Sequence, residues 1–122
     1  MSTRANIVIK QGARKTYLYH HHDGYMEGLG QALKKYVEGH DVSDPGRTAR
    51  SLLRGDARVY DDGHNEMERT NGIHADAEYV YTIDSDRGTL SVKRWAFRSN
   101  RWSAEREIAR RAGTAARGLA GG

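Results

Sequence analysis

The sequence predicts an α+β domain in which an antiparallel sheet of four to five strands, built from two β-hairpins, carries two to three helices on one face. Two pairs of β-branched and aromatic runs, each joined by a short turn, predict the hairpins. Stretches between and after them repeat their apolar residues at helical spacing. The 122 residues suit one domain, which we expect to span residues 1–113.

The first hairpin is predicted close to the N-terminus. Residues 6–10 (NIVIK) are a β-branched run, and residues 15–22 (KTYLYHHH) follow after a glycine-containing turn. Because side chains alternate across a strand, Tyr17, Tyr19 and His21 should share one face of the sheet.

Two helices are predicted after this hairpin. An apolar stripe at helical spacing starts at Met26, and Gly39 ends the first helix. Asp44 has the residue type of an N-cap, and Pro45 that of a first helical position, so a brief second helix begins there and ends at Gly55.

The second hairpin is predicted in the C-terminal half. Residues 58–72 are polar and acidic, and we interpret them as a long surface loop with a candidate short strand at residues 57–60. Residues 74–84 and 89–97 then alternate as two strands, joined by a turn at 85–88.

The C-terminal segment is predicted to be a helix followed by a tail. Ser103 is a candidate N-cap for a helix over residues 104–112, with Glu105 and Glu107 in its first turn, where the helix dipole favours acidic groups. Residues 114–122 (TAARGLAGG) are predicted to form a flexible tail.

Composition restricts the classes of function. The chain has no cysteine, which excludes disulfides, thiolate metal sites and thiol catalysis. It has neither an apolar run of ~20 residues nor a signal-peptide core, so we expect a cytoplasmic protein without a membrane span.

Charge is distributed unevenly along the chain. Residues 55–88 carry three basic and nine acidic groups, whereas residues 89–122 carry eight basic and two acidic groups. A basic region favours anionic partners such as phosphates, nucleic acid or an acidic protein face. The alternative is a solvated surface of mixed charge.

A first set of candidate binding residues lies where the first hairpin runs into the first helix. This stretch, residues 17–25, reads YLYHHHDGY and brings aromatic and imidazole groups to a sheet–helix junction. We predict that five of its residues contact a ligand: Tyr19, His21, His22, Asp23 and Tyr25.

A metal site is an alternative for the same stretch. His20, His22 and Asp23 could combine with His64 and His74. The spacing matches no zinc signature, so we expect neither a metal nor another cofactor.

A second set of candidate binding residues lies in a basic stretch that contains both tryptophans. Stacking on indole and pairing with guanidinium groups hold both single-stranded nucleic acid and free nucleotides. The predicted contacts are Arg94, Arg98, Arg101 and Trp102. Alternatively, Trp95 belongs to the core and Trp102 packs the last helix onto the sheet.

No catalytic motif is present. The chain has no GxSxG elbow, no Walker loop and no GxGxxG in a βαβ unit. Gly28 and Gly30 open a helix, where backbone N–H groups favour an anion, but close helix–sheet packing explains them equally well. We therefore predict a binding protein, with a small metal-dependent hydrolase that uses His21 or His22 as general base as an alternative.

The N-terminal third resembles a family of small proteins carried by phages and prophages. Residues 3–7 (TRANI) are similar to the first strand of that family, and the loop is similar to its H-x-D-G-Y-P-x-G motif. Met26 stands where the family usually has proline, and the resemblance does not extend past Gly39. Five positions match the motif: His21, Asp23, Gly24, Tyr25 and Gly28.

The resemblance implies a mobile-element gene, and small genes of that kind often encode counter-defence proteins. It implies a phage-encoded, non-enzymatic inhibitor that binds a bacterial defence effector stoichiometrically in the host cytoplasm, as anti-CRISPR proteins do. Two alternatives are a sponge that sequesters a nucleotide immune signal, working as a homo-oligomer, and a nucleic-acid-binding accessory protein. A DNA mimic is disfavoured because the chain is basic overall.

Overall fold

The computed structural model describes residues 3–59 and 67–111. Its helical segments are a π-helical turn, Met26–Gly30, which runs directly into α1, Gln31–Gly39, and a separate helix α2, Pro45–Leu53. Seven strands form the sheet: β1 Ala5–Gln11, β2 Arg14–His20, β3 Met67–Thr70, β4 Tyr79–Asp84, β5 Thr89–Ala96, β6 Arg101–Trp102 and β7 Arg106–Arg110.

The sheet is mixed, which corrects the prediction of a purely antiparallel sheet of four to five strands. Its order is β3-β2-β1-β4-β5-β6, and β7 also pairs with β5. The predicted hairpins are the antiparallel pairs β1–β2 and β4–β5. They join through a parallel β1–β4 pair, because the intervening chain crosses over through the helices and returns to the same end of the sheet.

Strand alternation gives the sheet a core face and an open face. On β1, Ile7 and Ile9 point toward the helices and belong to the core, whereas Asn6 and Val8 point the opposite way. Burying aliphatic side chains of this size stabilises the fold by about 1.5–3 kcal/mol each. The largest fully buried members of the core are Ile7, Ile9, Leu18, Leu29, Leu33, Leu52, Tyr81, Ile83 and Leu90.

The π-helical turn brings Gly30 close to the sheet. A Cβ at Gly30 would lie 3.2 Å from the Tyr81 hydroxyl and 3.1 Å from the Met26 Sδ. Tyr81 itself donates a hydrogen bond of 2.7 Å to the Gly24 carbonyl. At Gly30, close helix–sheet packing is therefore the better of the two interpretations.

Helix α2 forms as its capping residues predict. The Asp44 side chain accepts a hydrogen bond of 3.2 Å from the Arg47 N–H, and Pro45 takes the first helical position. In the described residues, neither α1 nor α2 has the length and apolarity needed to cross a bilayer.

The predicted C-terminal helix is wrong, since residues 104–112 contain strand β7 instead. Ile108 is the only large aliphatic residue of this segment, so a helix there would have had a thin apolar face. As a strand, the segment satisfies the hydrogen-bonding edge of β5 and buries Ala109 opposite Leu90.

The interpretation of residues 58–72 as a loop is also corrected, because this stretch contains β3, which pairs with β2. Residues 57–59 form no strand, and Tyr60 lies outside the described residues, as does the predicted tail at 114–122. The four residues of β3 are mainly polar, so their sequence alone does not indicate a strand. They form one because the edge of β2 offers a partner for backbone hydrogen bonds.

Candidate functional site

Both predicted sets of binding residues lie at the same end of the sheet. The paired residues His20, Ala5, Tyr79 and Arg94 form one row across β2, β1, β4 and β5. Because neighbouring strands are about 4.8 Å apart, the two outer strands of this row are roughly 14 Å apart. The two sets therefore share one end of the molecule without merging into one cluster.

The first set lies in the histidine junction, which we define as residues 19–25 together with the covering loop 71–77. Tyr19 is buried, and its ring stacks on His74 with centroids 4.1 Å apart. Its hydroxyl donates to the Asp76 carboxylate at 2.8 and 2.9 Å. Burial, followed by this hydrogen bond, raises the pKa of Tyr19 from 10.0 to about 12. Tyr19 therefore holds the covering loop in place and is closed to a ligand.

Asn6 fixes the same loop from the open face of β1. Its Nδ2 donates to the carbonyls of Leu18 at 2.8 Å and Gly72 at 3.3 Å, and its Oδ1 accepts from the His74 N–H at 2.7 Å. The side chain is fully buried. Sequence analysis did not single out Asn6, although a lone amide in a β-branched run is a signal of this kind of role.

The turn of the junction depends on close backbone contacts. Asp23 has a φ of 52°, and its carbonyl accepts from the Leu29 N–H at 2.9 Å. A Cβ at Gly28 would lie 2.5 Å from that carbonyl oxygen, and a Cβ at Gly24 would lie 2.7 Å from the Ala5 Cβ. The D-G-Y-x-x-G pattern thus has a structural reason that requires no ligand.

Accessible side chains remain at the rim of the junction. Tyr25 is 37% exposed, and the negative charge of Asp23 is the largest of the causes that raise its pKa. The His21 ring packs edge-on against Tyr19 with centroids 4.7 Å apart, and its Nε2 lies 3.4 Å from Glu68. The His22 ring lies farther out, 6.5 Å from the His21 ring.

The residues considered for a metal site are not assembled in the described part of the chain, where no three His, Asp or Glu side chains are grouped to hold an ion. His20 is buried at the end of β2, on the strand face opposite Tyr19. His64 lies outside the described residues.

The second set lies on the basic hairpin, which we define as residues 93–102. Trp95 pairs with Trp102 and Ala96 with Arg101, and Asn100 closes the turn with a φ of 54°. Tyr79, the first residue of β4, pairs with Arg94, so residues 95–102 of the hairpin extend past the N-terminal end of β4.

The base of the hairpin is anchored by contacts that position its side chains. The Trp95 N–H donates to the Glu78 carbonyl at 2.7 Å, and the Arg94 guanidinium lies 5.4 Å from the centre of the Tyr79 ring. The two indoles meet edge-on with centroids 5.4 Å apart. Both are half-buried and stay outside the main core, so the interpretation of Trp95 as a core residue is wrong.

The tip of the hairpin is apolar and positively charged. Phe97 is 70% exposed, and Arg98 and Arg101 beside it are exposed as well. The hairpin carries four basic residues and no acidic one. Phe97 was not among the predicted site residues, because it was assigned to a strand and in fact lies in a turn. The polar sequence R-S-N-R that follows it is the signal that indicates this turn.

A cleft of about 610 Å³ opens between the π-helical turn and the base of the hairpin. Met26, Tyr79 and Val92 supply apolar wall, and Arg94 and Arg106 supply positive charge. Two carboxylates also line this cleft, those of Glu27 and Glu105. The volume is in the range of pockets that hold small organic ligands.

Comparisons with protein-family models, curated proteins and solved structures find no match for this chain. The candidate site consists of the histidine junction, which is accessible only at its rim, and the exposed basic hairpin at the same end of the sheet.

Proposed function

We propose that this chain is a non-enzymatic binding protein that counters a bacterial defence system by occupying a defence effector stoichiometrically, with the basic hairpin as its contact surface. One observation carries the proposal. Phe97 is 70% exposed at the tip of a hairpin that presents Arg98 and Arg101 and no carboxylate. The setting in a phage and its host is an expectation from the resemblance.

The residue types of the hairpin suit a protein partner. Aromatic residues and arginine are enriched at the centres of protein interfaces, where a few of them supply most of the binding free energy. Burying a phenylalanine side chain contributes about 1.5–3 kcal/mol. The exposed Arg98 and Arg101 favour an acidic face on the effector, whereas Arg94 already pairs with Glu78 at 3.4 Å.

Anchoring of the hairpin supports tight binding. The Ser103 N–H donates to the Arg94 carbonyl at 2.8 Å, and the Arg94 N–H donates to the Ser103 Oγ at 3.0 Å. Trp95 and Trp102 add a cross-strand aromatic pair. Because these contacts order the hairpin before it meets a partner, less conformational entropy is lost on association.

The test is co-purification of the tagged chain with bacterial defence effector complexes, followed by affinity measurements on any complex found. We expect Phe97→Ala and the double variant Arg98→Ala/Arg101→Ala to weaken binding about 30-fold or more each, as hot-spot residues do. The matched control is Arg47→Ala/Arg50→Ala, which removes two exposed arginines from α2. Equal losses in both double variants, or catalytic turnover of a nucleotide or nucleic acid, would refute the proposal.

A nucleotide sponge is the second candidate, and the cleft of about 610 Å³ favours it. Arg94 and Arg106, both exposed, line the cleft and could pair with phosphates. A sponge should gain thermal stability with cyclic nucleotides or ADP-ribose derivatives and release them intact on heating. Arg106→Ala should abolish that gain without affecting effector binding through Phe97.

A further inference from the structure

The open face of the sheet carries a lysine pocket that adjoins the basic hairpin and shares Lys93 with it. Lys10 of β1, Lys15 of β2 and Lys93 of β5 line a depression of about 140 Å³. Its floor includes the buried side chains of Val8 and Val80. We call these residues, together with Tyr17, Ile73, Thr82 and Glu105, which also line it, the lysine pocket.

The charge of the lysine pocket is positive. Its three lysines face one carboxylate, that of Glu105. The Lys10 Nζ, on a side chain that is 39% exposed, lies 3.9 Å from the largely buried Asp84 carboxylate, a distance at the limit of an ion pair. Within residues 3–59 and 67–111, Lys15 makes no ion pair, so its ammonium group can face a ligand.

The size of the pocket selects the chemical group that it can hold. About 140 Å³ is below the roughly 300–1,000 Å³ of pockets that enclose a whole small organic ligand. A phosphate group fits this volume and suits ammonium donors. The hydroxyls of Tyr17 and Thr82 offer further hydrogen bonds at the same place.

The backbone positions of the lysines leave room for a ligand longer than one phosphate. Val80 of β4 pairs with Asn6 on β1 and with Lys93 on β5. Lys93 is therefore level with Asn6, which is two strands away from it and four residues before Lys10. At about 4.8 Å per strand and 3.4 Å per residue, the two backbones are roughly 17 Å apart. Lys93 also lies 5.3 Å from the centre of the Trp102 ring, so the pocket connects to an aromatic platform.

We infer that the open face of the sheet binds single-stranded nucleic acid, with successive phosphates on Lys10, Lys15 and Lys93 and a base stacked on Trp102. Positive charge along a track, ending at an indole, is the arrangement by which single strands are held without sequence preference. This ligand goes beyond the contact between hairpin and effector, and the two can be tested separately.

The experiment is fluorescence anisotropy with a labelled oligothymidylate of about twelve nucleotides, a length within the site sizes of known single-strand binders. The logarithm of affinity should fall with the logarithm of salt concentration with a slope of about −2, since each phosphate contact to a single strand contributes about −0.7. Lys10→Gln/Lys15→Gln should weaken binding at least tenfold and reduce the slope by about 1.4.

Lys34→Gln/Lys35→Gln is the matched control, because it removes the same charge from α1, which packs on the other face of the sheet. It should leave affinity and slope unchanged, and equal losses in the two double variants would overturn the inference. Mononucleotides that compete as well as the oligonucleotide, or no binding at low salt, would overturn it too. Lys15→Gln alone repeats the test should the double variant fail to fold.

Discussion

The histidine junction and the basic hairpin lie at one end of the same sheet, but their side chains have different partners. In the junction, Tyr19 is 3% exposed and its hydroxyl is bound to Asp76. Beside it, Asn6 of β1 makes three hydrogen bonds, two of them to the covering loop. In the hairpin, Phe97 is 70% exposed. Groups that look equally functional in sequence thus divide into some that hold the fold and others that are available to a partner.

This difference teaches that chemical reactivity of a side chain is a poor guide to its role until its partners are known. The junction carries histidines, a carboxylate and tyrosines, which are typical of active sites. Most of these groups contact one another across the sheet and its covering loop. If the comparison is right, substitutions in the junction reduce stability, whereas substitutions in the hairpin reduce binding alone.

Asn6→Ala should have the largest effect on stability. It would remove the partner of the buried Leu18 carbonyl and that of the His74 N–H, whose hydrogen bond to Asn6 is part-buried. We expect the free energy of unfolding to fall by about 3 kcal/mol. Chemical denaturation followed by circular dichroism measures it, and Asn71→Ala, exposed in the same loop, is the control. A loss below about 1 kcal/mol would mean that the loop is held by other contacts.

Gly28→Ala should come next, at about 2 kcal/mol, because its Cβ would lie 2.5 Å from the Asp23 carbonyl oxygen. Gly39→Ala is the matched control: nothing lies within 4 Å of a Cβ there, and alanine is the better helix former, by less than the ~1 kcal/mol of a helix interior because Gly39 is the last residue of α1. The two variants should therefore shift stability in opposite directions. A neutral Gly28→Ala would leave a ligand as the reason for this glycine.

Tyr19→Phe should cost about 1 kcal/mol at neutral pH, since it removes the hydrogen bond to Asp76. The effect should change sign in alkali. The pKa of Tyr19 is raised from 10.0 to about 12, so the folded state holds the phenolic proton more tightly than the unfolded state does. The stabilisation is complete below pH 10 and is lost as pH rises toward about 12.

Between these pH values, ionisation of Tyr19 should lower the free energy of unfolding of the native protein by up to about 1.4 kcal/mol per pH unit. The variant lacks this hydroxyl and should show no such decrease. The two stabilities should be equal at about pH 11 and reversed above it. Comparison with the variant is needed because burial also raises the pKa of Tyr36, Tyr79 and Tyr81. Parallel pH profiles of the two proteins would contradict the assigned role of the Tyr19 hydroxyl.

Local signals in the sequence were sufficient for much of the fold. Both hairpins and the start of α2 formed where predicted, because turn residues, alternation and an N-cap act over a few residues. The predicted strand bounds were too long, since β2 ends at His20 rather than at 22 and β4 begins at Tyr79 rather than at 74. The parallel β1–β4 pair, strand β3 and strand β7 were not predicted. Each depends on a partner strand far away in the sequence, and in β7 the free edge of β5 overrides a capping signal at Ser103.

The sequence predicted where in the fold the candidate site residues lie, but not which side chains contact one another. All nine predicted residues lie at or near one end of the sheet, since the strand registers place them there. The sequence could not tell that Tyr19 is closed by Asp76, because the two residues are 57 positions apart. Nor could it tell that Phe97 lies in a turn, because alternation continues from β5 into it.

Phe97→Ser should have the smallest effect on stability, within about 0.5 kcal/mol, because the ring is 70% exposed. Ile73→Ser makes a comparable change in the covering loop, where the side chain is 45% exposed and lines the lysine pocket, so we expect a loss of about 1 kcal/mol. Denaturation of both variants under the same conditions gives the two decreases in the free energy of unfolding, and their ratio compares how much each region contributes to stability. If Phe97→Ser cost more than Ile73→Ser, the hairpin tip would be part of the fold, and its exposure would no longer require a partner to explain it.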